Sequence, residues 1–439
     1  MKNKSISFFL NGKSTTYKGK KSARLLDYLR DEMKMTGTKC GCKEGECGAC
    51  SVIIDNKLIN SCLVSMGSIE GSSIVTIEGY SKTEQFTALD NAFASVSAVQ
   101  CGFCIPGMIL AAGCLLSNNP KPNEEEIREG ISGNLCRCTG YNAIVKAVGI
   151  ASENDFGDTS VTNNVPVNAK PAISLEEALI SLKNENLIPY TGGTDLMVPE
   201  NSHDKEYLYL KNIPELKQIT EDDDYIRFGA ASTFTEVINH RLTPGILKDA
   251  CKQIAAPAIR NAGSIGGNIC NGSAKADSAL IFMVTDSKLR FKSSGGERTI
   301  PIRDFYLGGG KLDIKADELL VEIQMPKPGI DNYYYKKVGA RNALSIARTS
   351  FAGIMELSEG IIKNCAVAFG AVTDTIIRYD HIDKILIGKT IKEAKALKAE
   401  YLALYEKEIV PRRGRVSIEY RKNVCMNLLK DFLEKNGIF

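Results

Sequence analysis

Four cysteines near the start of the chain have the spacing of iron–sulfur ligands. Cys42, Cys47 and Cys50 follow one another closely, and Cys62 comes twelve residues later. Three close cysteines followed by a fourth at a distance hold the [2Fe–2S] cluster of plant-type ferredoxins. Zinc is the alternative metal, but zinc-binding cysteines usually come as two short pairs. The spacing therefore predicts an iron–sulfur cluster in this loop.

A second set of four cysteines lies further along, and it consists of two short pairs. Cys101 and Cys104 form the first pair, and Cys136 and Cys138 form the second. Cys136 and Cys138 alone would suit a thiol pair or a zinc knuckle, but the two pairs together indicate a second cluster. Two one-electron centres in one chain predict that this protein carries electrons.

The elements around the first set predict how its loop is positioned. Strands are expected over 6–10 and 15–18, and a helix is expected where Leu25, Leu26, Leu29 and Met33 recur at helical spacing. After the loop, apolar runs on either side of Asp55-Asn56 indicate a hairpin that returns Cys62 to the loop. Glycines interleave with the cysteines and allow backbone N–H groups to approach the sulfur atoms. This order of elements is that of a β-grasp ferredoxin domain.

The second set is expected at the starts of helices. Pro106-Gly107 leads into an apolar helix over 108–116, and Thr139-Gly140 leads into a helix over 141–151. Between them, Asn123 followed by three glutamates is a strong signal for a helix start. Helix N-termini favour anionic thiolates, because unpaired N–H groups and the helix dipole concentrate positive charge there.

Three motifs resemble the iron–sulfur subunit of molybdenum hydroxylases, the family of xanthine dehydrogenase and aldehyde oxidase. They are GTKCGCKEGECGAC at 37–50, QCGFCIPGM at 100–108 and GNLCRCTGY at 133–141. The resemblance covers residues 1–150. It implies that the helical cluster faces a molybdopterin cofactor, that the ferredoxin-like cluster faces a flavin, and that Gln100 touches the pterin.

Two glycine-rich segments follow, IPYTGGTDLM at 188–197 and RNAGSIGGNI at 260–269. Neither is a Rossmann fingerprint or a P-loop, but two such loops could bring backbone N–H groups close to one pyrophosphate. In this order they resemble the FAD loops of the same family. The resemblance implies that FAD contacts Pro189, Tyr190, Thr191, Gly192, Gly193, Thr194, Asp195, Leu196, Ser232, Thr233, Ser264, Ile265, Gly266, Gly267, Asn268, Asp277 and Lys337.

Within that set, the resemblance assigns the first glycine loop to the diphosphate and Asp277 to the adenosine part of FAD. Lys337 matches a lysine near the isoalloxazine, with Lys336 one position away as the alternative. A solvent-facing charge is the other interpretation of either lysine.

The predicted fold is a multidomain α+β chain. It comprises a plant-type [2Fe–2S] ferredoxin domain at 1–79, a helical [2Fe–2S] domain at 80–152 and a polar linker at 153–169. An FAD-binding α/β domain of the CO dehydrogenase flavoprotein type follows at 170–335, and an α+β C-terminal subdomain at 336–439, with helices over 391–404 and 424–433.

Composition narrows the class of protein. A chain of 439 residues suggests about three domains. The net charge of +3 does not favour nucleic acid as a partner, and no apolar run is long enough to span a membrane. The remaining cysteines are expected to be core or bystander residues, among them Cys40, Cys270, Cys365 and Cys425. With unpaired thiols and no signal peptide, a cytoplasmic location is expected.

The resemblance implies the electron-transfer subunit of a molybdenum hydroxylase, with no catalytic residue of its own and a large molybdopterin subunit encoded separately. Electrons would pass from molybdenum to the Cys101 cluster, the Cys42 cluster, FAD, and then NAD or another acceptor. A xanthine dehydrogenase-like enzyme is favoured, with nicotinate, aldehyde, CO and aromatic acyl-CoA enzymes as alternatives. A hetero-oligomer is expected, with a dimer of heterodimers as one arrangement. A stand-alone iron–sulfur flavoprotein reductase is the rival interpretation.

Overall fold

The computed structural model describes residues 5–154, 156, 173–327, 329–414 and 416–438. Their contacts divide the chain into two compact units. Unit 1 contains Met1–Ser174, Glu185–Ile213 and Ala255–Gly263, and unit 2 contains Leu175–Asn184, Pro214–Ile254 and Ser264–Phe439. Most of the predicted linker at 153–169 lies outside the described residues, although Phe156 is buried in the core of the helical module. The predicted domain boundaries stay predictions.

Unit 1 begins with a mixed five-stranded sheet. Its strand Ile6–Leu10 runs antiparallel to Lys13–Tyr17 and parallel to Ser73–Val75. In spatial order the strands are Lys13–Tyr17, Ile6–Leu10, Ser73–Val75, Ser51–Ile54 and Lys57–Asn60. The predicted hairpin is confirmed, and its two turn residues, Asp55 and Asn56, both have positive φ, as a type I′ turn requires. The predicted helix at 25–33 is a short α-helix, Leu25–Asp27, continued by a π-helical turn, Tyr28–Glu32.

A helical module follows in unit 1. Its helices are Ile77–Tyr80, Glu84–Ser95, Ile105–Asn118, Glu124–Gly130 and Asn142–Ala151. The predicted helix start at Asn123 is confirmed, because Asn123 and Glu126 form a reciprocal capping box. The apolar helix Ile105–Asn118 is buried along most of its length, and its residues form the centre of the module's core.

The rest of unit 1 consists of two segments that pack with the iron–sulfur modules. Strands Ile188–Tyr190 and Tyr207–Tyr209 form a parallel pair, and Pro257–Arg260 is a short helix. Short 3₁₀ turns complete the unit, at Ser61–Leu63, Met66–Ile69 and Glu200–Asp204.

Unit 2 contains an antiparallel five-stranded sheet with helices packed around it. The strands, in spatial order, are Gly296–Pro301, Lys288–Ser293, Leu319–Pro326, Tyr225–Gly229 and Ile219–Glu221. The helices are Leu175–Asn184, Phe234–Asn239, Gly245–Lys252, Ile265–Cys270, Asp277–Val284 and Ile302–Phe305. A small hairpin pairs Tyr306–Gly308 with Lys311–Leu312, and Pro214–Leu216 is a 3₁₀ turn.

The second sheet of unit 2 separates two apolar layers. Its strands are Tyr333–Val338, Thr349–Ser358, Ile361–Gly370 and Ile377–Arg378. Alternate residues face opposite sides, so Ala352 and Ile354 join the core around helix Asp277–Val284, whereas Phe351 and Met355 join a separate core. Helices Asp380–Asp383, Ile391–Glu408 and Ile418–Lys435 cover that second side. The two long helices confirm the predicted ones and extend beyond them.

No helix among the described residues is long and apolar enough to cross a membrane.

Candidate cofactor sites

The first cysteine loop places backbone N–H groups around its sulfur atoms. The Cys42 Sγ accepts from the N–H groups of Glu44 and Glu46 at 3.4 and 3.3 Å, and the Cys47 Sγ accepts from the N–H of Cys42 at 3.4 Å. A hydrogen bond from Cys47 lowers the pKa of the Cys42 thiol to about 5. The loop therefore favours a thiolate at Cys42, which is the form that binds iron.

The other two cysteines of this set lie together in the interior. Cys50 and Cys62 are buried, and a hydrogen bond from Cys62 lowers the pKa of Cys50. Ser61, next to Cys62, donates its N–H and its hydroxyl to the carbonyl oxygen of Cys50, at 3.2 and 2.7 Å. Cys62 lies in the turn Ser61–Leu63, just after the second hairpin strand, so the hairpin returns it to the loop as predicted.

The second set of cysteines also comes together in pairs. The sulfur atoms of Cys101 and Cys138 are 3.6 Å apart and both residues are exposed. Cys104 and Cys136 form a hydrogen-bonded pair, and burial raises the pKa of Cys104 to about 12. Burial also acts to raise the pKa of Cys136, but the hydroxyl and N–H of Thr139 donate to its sulfur and lower the pKa overall.

Helix termini position part of the second set. Cys104 is the N-cap of helix Ile105–Asn118, as expected. Helix Asn142–Ala151 begins after Tyr141, which has φ +71° and makes no side-chain cap. The Tyr141 hydroxyl instead accepts from the N–H of Cys136 at 3.0 Å, so this tyrosine holds the Cys136 turn.

The paired arrangement suits a two-iron cluster. In a [2Fe–2S] centre held by four cysteines, each iron takes two thiolates. The pairs Cys42–Cys47, Cys50–Cys62, Cys101–Cys138 and Cys104–Cys136 therefore fit two such clusters.

Direct hydrogen bonds join the two cysteine loops. The N–H of Leu135, beside Cys136, donates to the carbonyl oxygen of Cys47 at 2.9 Å. The side-chain amide of Asn134, only 3 % exposed, donates to the carbonyl oxygen of Gly48 at 3.0 Å. No local pattern in the sequence points to Asn134, because its partners Gly48 and Ser51 are 86 and 83 residues away along the chain.

The first predicted flavin loop lies in unit 1 and is a tight turn. Gly193 has φ +69°, a conformation that favours glycine. A Cβ atom on Gly192 would lie 1.9 Å from the carbonyl oxygen of Ala262, so this backbone runs against the 255–263 segment. Of the neighbouring predicted residues, Tyr190 is buried, Thr191, Thr194 and Leu196 are half-buried, and Pro189 and Asp195 are exposed.

The predicted contact residues of the second flavin loop, at 264–268, lie in unit 2, beside the segment of Ser232 and Thr233. Ser264 is the N-cap of helix Ile265–Cys270 and accepts from the N–H of Gly267 at 3.1 Å. The carbonyl oxygen of Ser232 accepts from the N–H of Ile265, and Thr233 pairs with Ser264 in a β-bridge. The two predicted contact segments are therefore neighbours.

Two of these glycines differ in their surroundings. A Cβ atom on Gly266 would lie 2.6 Å from both the Cβ and the carbonyl oxygen of Ala230, so packing within the fold already requires glycine there. Gly267 is exposed and Asn268 is half-buried, with its Oδ1 accepting from the Ser278 hydroxyl at 2.7 Å.

Asp277 and Lys337, which are 60 positions apart, form a buried ion pair. The Lys337 Nζ lies 2.8 Å from the Asp277 Oδ2, and the two side chains are 8 % and 5 % exposed. Lys337 also donates to the carbonyl oxygen of Gln253 at 2.8 Å. Burial raises the pKa of Asp277 despite the lysine, and its Oδ1 has no hydrogen-bond partner among the residues that the structure describes. Lys336 is exposed, so Lys337 is the lysine held inside unit 2.

Four family descriptions match successive parts of the chain. They are "2Fe-2S iron-sulfur cluster binding domain" at 8–67, "[2Fe-2S] binding domain" at 76–149, "FAD binding domain in molybdopterin dehydrogenase" at 166–328 and "CO dehydrogenase flavoprotein C-terminal domain" at 333–436. The chain belongs to the molybdenum hydroxylase family. Its domains are two [2Fe–2S] domains, an FAD-binding domain and a flavoprotein C-terminal domain, as predicted.

Curated relatives and solved structures agree with this assignment. Xanthine dehydrogenase 2 of Arabidopsis thaliana is 26% identical and aligns with 93% of this chain and 38% of its own length. Aldehyde oxidase 1 of Bos taurus is 26% identical and aligns with 99% of this chain and 39% of its own length. The chain thus spans less than half the length of these relatives. The structure titled "Reconstituted CO dehydrogenase from Oligotropha carboxidovorans" is 25% identical with a TM-score of 0.55, covering 60% of this chain and 94% of that one.

Proposed function

We propose that this chain is the electron-transfer chain of a molybdenum hydroxylase. It takes electrons from a molybdopterin-bearing partner chain and delivers them to NAD or another acceptor. When bound, two [2Fe–2S] clusters supply one-electron carriers and FAD supplies a two-electron carrier, which together match an acceptor that needs electron pairs. A xanthine dehydrogenase-like enzyme is the favoured holoenzyme and an aldehyde oxidase-like enzyme the alternative, because relatives of both names align with nearly the whole chain.

The observation that carries this proposal is the order of the three sites within unit 1. Cys101 and Cys138 are exposed, and hydrogen bonds from Asn134 and Leu135 join their loop to the Cys47 loop. The buried Cys50 and Cys62 share an apolar cluster with Tyr190, which directly precedes the first glycine loop. The chain thus arranges an exposed thiol pair, a buried thiol set and a glycine loop in one continuous series.

The surroundings of Cys101 suit a protein partner. Val99, Phe103 and Leu135 are 45 %, 48 % and 45 % exposed, and Gln100 is exposed beside them. Apolar side chains around an exposed centre are typical of an interface with another chain. We infer that this surface is covered by the molybdopterin-bearing partner and that Gln100 approaches its cofactor.

In this proposal the Ser264 loop, Asp277 and Lys337 are the residues of unit 2 that contact the flavin. The unpartnered Oδ1 of Asp277 is available for a hydroxyl or amino group of the ligand.

Isolation of the chain at native expression level tests the proposal. We expect about four iron atoms, about four labile sulfides and about one FAD per chain, together with a larger molybdenum-containing partner. Zinc in place of iron would contradict the cluster assignment. A chain that elutes alone with full NADH-linked dye reduction would favour the stand-alone reductase.

A further inference from the structure

Three tyrosines form an aromatic cluster in unit 1 beside the first glycine loop. Tyr190, Tyr207 and Tyr209 have ring centroids 5.1 to 6.3 Å apart. Their hydroxyl groups have different partners. The Tyr207 hydroxyl donates to the carbonyl oxygens of Ser202 and Leu196 at 2.9 and 3.5 Å, within its own segment. The Tyr190 and Tyr209 hydroxyls instead reach residues of the ferredoxin-like module.

The Tyr190 side chain lies against the glycine loop. A Cβ atom on Gly193 would lie 2.0 Å from the Tyr190 hydroxyl oxygen and 2.3 Å from the ring carbon that bears it. The Gly193 backbone therefore packs directly against the phenol, and its positive φ lets the loop make this turn. This close packing ties the position of the loop to that of the Tyr190 phenol.

The same hydroxyl group binds the turn that carries a cluster ligand. The Tyr190 hydroxyl accepts from the N–H of Ser65 at 3.2 Å and donates to the carbonyl oxygen of Leu63 at 3.3 Å. Leu63 directly follows Cys62, and both are buried in one apolar cluster with Tyr190. One side chain, 1 % exposed, thus touches both the glycine loop and the Cys62 turn.

Arg24 reinforces the same junction from the ferredoxin-like module. Its Nη2 donates to the carbonyl oxygens of Met197 and Pro199 at 2.8 and 3.1 Å, just beyond the glycine loop. Arg24 and Ser65 are themselves paired in a β-bridge. Two neighbouring residues of this module therefore hold both ends of the 190–199 segment.

We propose that Tyr190 is a positioning residue that fixes the Gly192–Gly193 loop against the Cys62 turn, and so fixes the separation between the first cluster and the flavin. This inference rests on the proposed function, because it takes the loop as a flavin site and Cys62 as a cluster ligand. An apolar residue before the loop would fill the same space but would leave the Ser65 N–H and the Leu63 carbonyl group buried without a partner.

The test compares Tyr190→Phe with Tyr207→Phe in the full chain. Both variants lose one buried hydroxyl from the same cluster, but only Tyr190→Phe loses bonds to the ferredoxin-like module. A buried N–H group without a hydrogen-bond partner lowers the equilibrium constant for the conformation that buries it by about tenfold or more. We therefore expect the Tyr190→Phe chain to bind FAD about tenfold more weakly. We expect its Met197 amide to exchange with solvent about tenfold faster in flavin-free chain.

At saturating FAD, a second readout separates positioning from simple loosening of the fold. Electron transfer from the first cluster to the flavin, followed by rapid-mixing absorbance, should be slower in Tyr190→Phe and unchanged in Tyr207→Phe. Iron and sulfide contents should stay at the unsubstituted level in both. Equal affinity, exchange and transfer rates in the two variants would overturn the inference.

A measurement without any substitution covers the case in which Tyr190→Phe fails to fold. Adding FAD to the flavin-free, cluster-loaded chain should slow exchange at Ser65 as well as at Met197, because Tyr190 connects the two amides. Protection of Met197 alone would overturn the inference. A chain that binds no FAD or no iron at all would contradict the proposed function instead.

Discussion

The backbone N–H of Leu135 donates to the carbonyl oxygen of Cys47 at 2.9 Å, which joins the two cysteine sets directly. Leu135 precedes Cys136, so a ligand of the second set is one residue from a bond to a ligand of the first. A backbone hydrogen bond of this kind holds the two loops at a fixed separation. Electron transfer between two clusters needs such a fixed separation.

Asn134 should be important for this junction. Replacing it by alanine removes two buried hydrogen bonds, to the Gly48 carbonyl oxygen and the Ser51 hydroxyl, and opens a small cavity. We expect a loss of about 1–3 kcal/mol in the free energy of unfolding, measured by urea denaturation. Asn118→Ala, which removes an exposed side chain, is the matched control and should change stability by less than about 0.5 kcal/mol. Equal losses in the two variants would show that the junction contributes little.

Cys138→Ser should remove the second cluster and spare the first. The Cys138 sulfur pairs with that of Cys101 at the surface, whereas the first set is held by its own loop and hairpin. We expect the iron content to fall by about two atoms per chain and one of two EPR signals to disappear. Cys425→Ser, in the core of unit 2, is the control and should keep both signals. Loss of both signals in Cys138→Ser would mean that the clusters assemble only together.

Gly266→Val should destabilise the protein even without flavin. The new side chain would meet Ala230 at 2.6 Å within the fold, and overpacking of this kind costs about 1–3 kcal/mol. The melting temperature of the flavin-free chain should therefore fall. Gly295→Ala, whose nearest neighbouring atom is 3.8 Å away, should leave it almost unchanged. An unaltered melting temperature with lost FAD binding would indicate that Gly266 faces only the cofactor.

Lys337→Met should destabilise the folded chain, because it leaves the buried Asp277 without its ion-pair partner. Removing one member of a buried ion pair leaves the other charge uncompensated, at a cost of about 3–5 kcal/mol. Burial already raises the folded-state pKa of Asp277, so its contribution to stability is present at low pH and is lost as pH rises through the folded pKa. Removing Lys337 raises the folded-state pKa of Asp277 further, because the lysine acts to lower it. The destabilisation measured by urea unfolding should therefore be larger at about pH 7 than at about pH 4. Lys336→Met, at an exposed position, should show no such pH dependence.

Alkylation should distinguish core thiols from accessible ones. Burial raises the pKa of Cys425 to about 12 and also raises that of Cys365, so both stay protonated and unreactive near pH 8. Cys40, which is only half-buried, should react first with iodoacetamide in the cluster-loaded chain. Peptide mass spectrometry would identify the labelled sites. Fast labelling of Cys365 or Cys425 in folded protein would contradict their placement in the core.

Local signals along the chain were sufficient to predict the elements around the first cysteine set. A hairpin of apolar runs around Asp55-Asn56 depends only on neighbouring residues, and the structure confirms it. The capping box at Asn123 and the long C-terminal helices are local in the same way. The spacing of the eight cysteines likewise predicted two cluster sites, because ligand geometry limits the intervals that a short loop can bridge.

Contacts between distant residues could not be predicted in this way. Tyr190 was expected as part of a flavin loop, yet its hydroxyl group reaches Leu63 and Ser65, about 125 positions earlier. Asp277 and Lys337 were assigned to different parts of the flavin, and the structure pairs them with each other. Such contacts depend on how whole elements pack, and side-chain periodicity along one segment carries no information about the partner that a hydroxyl or a carboxylate meets. The order of residues therefore determined which cofactor chemistry the chain can support. The tertiary structure decided how the sites within unit 1 are joined, because those joints are hydrogen bonds between loops far apart in the chain.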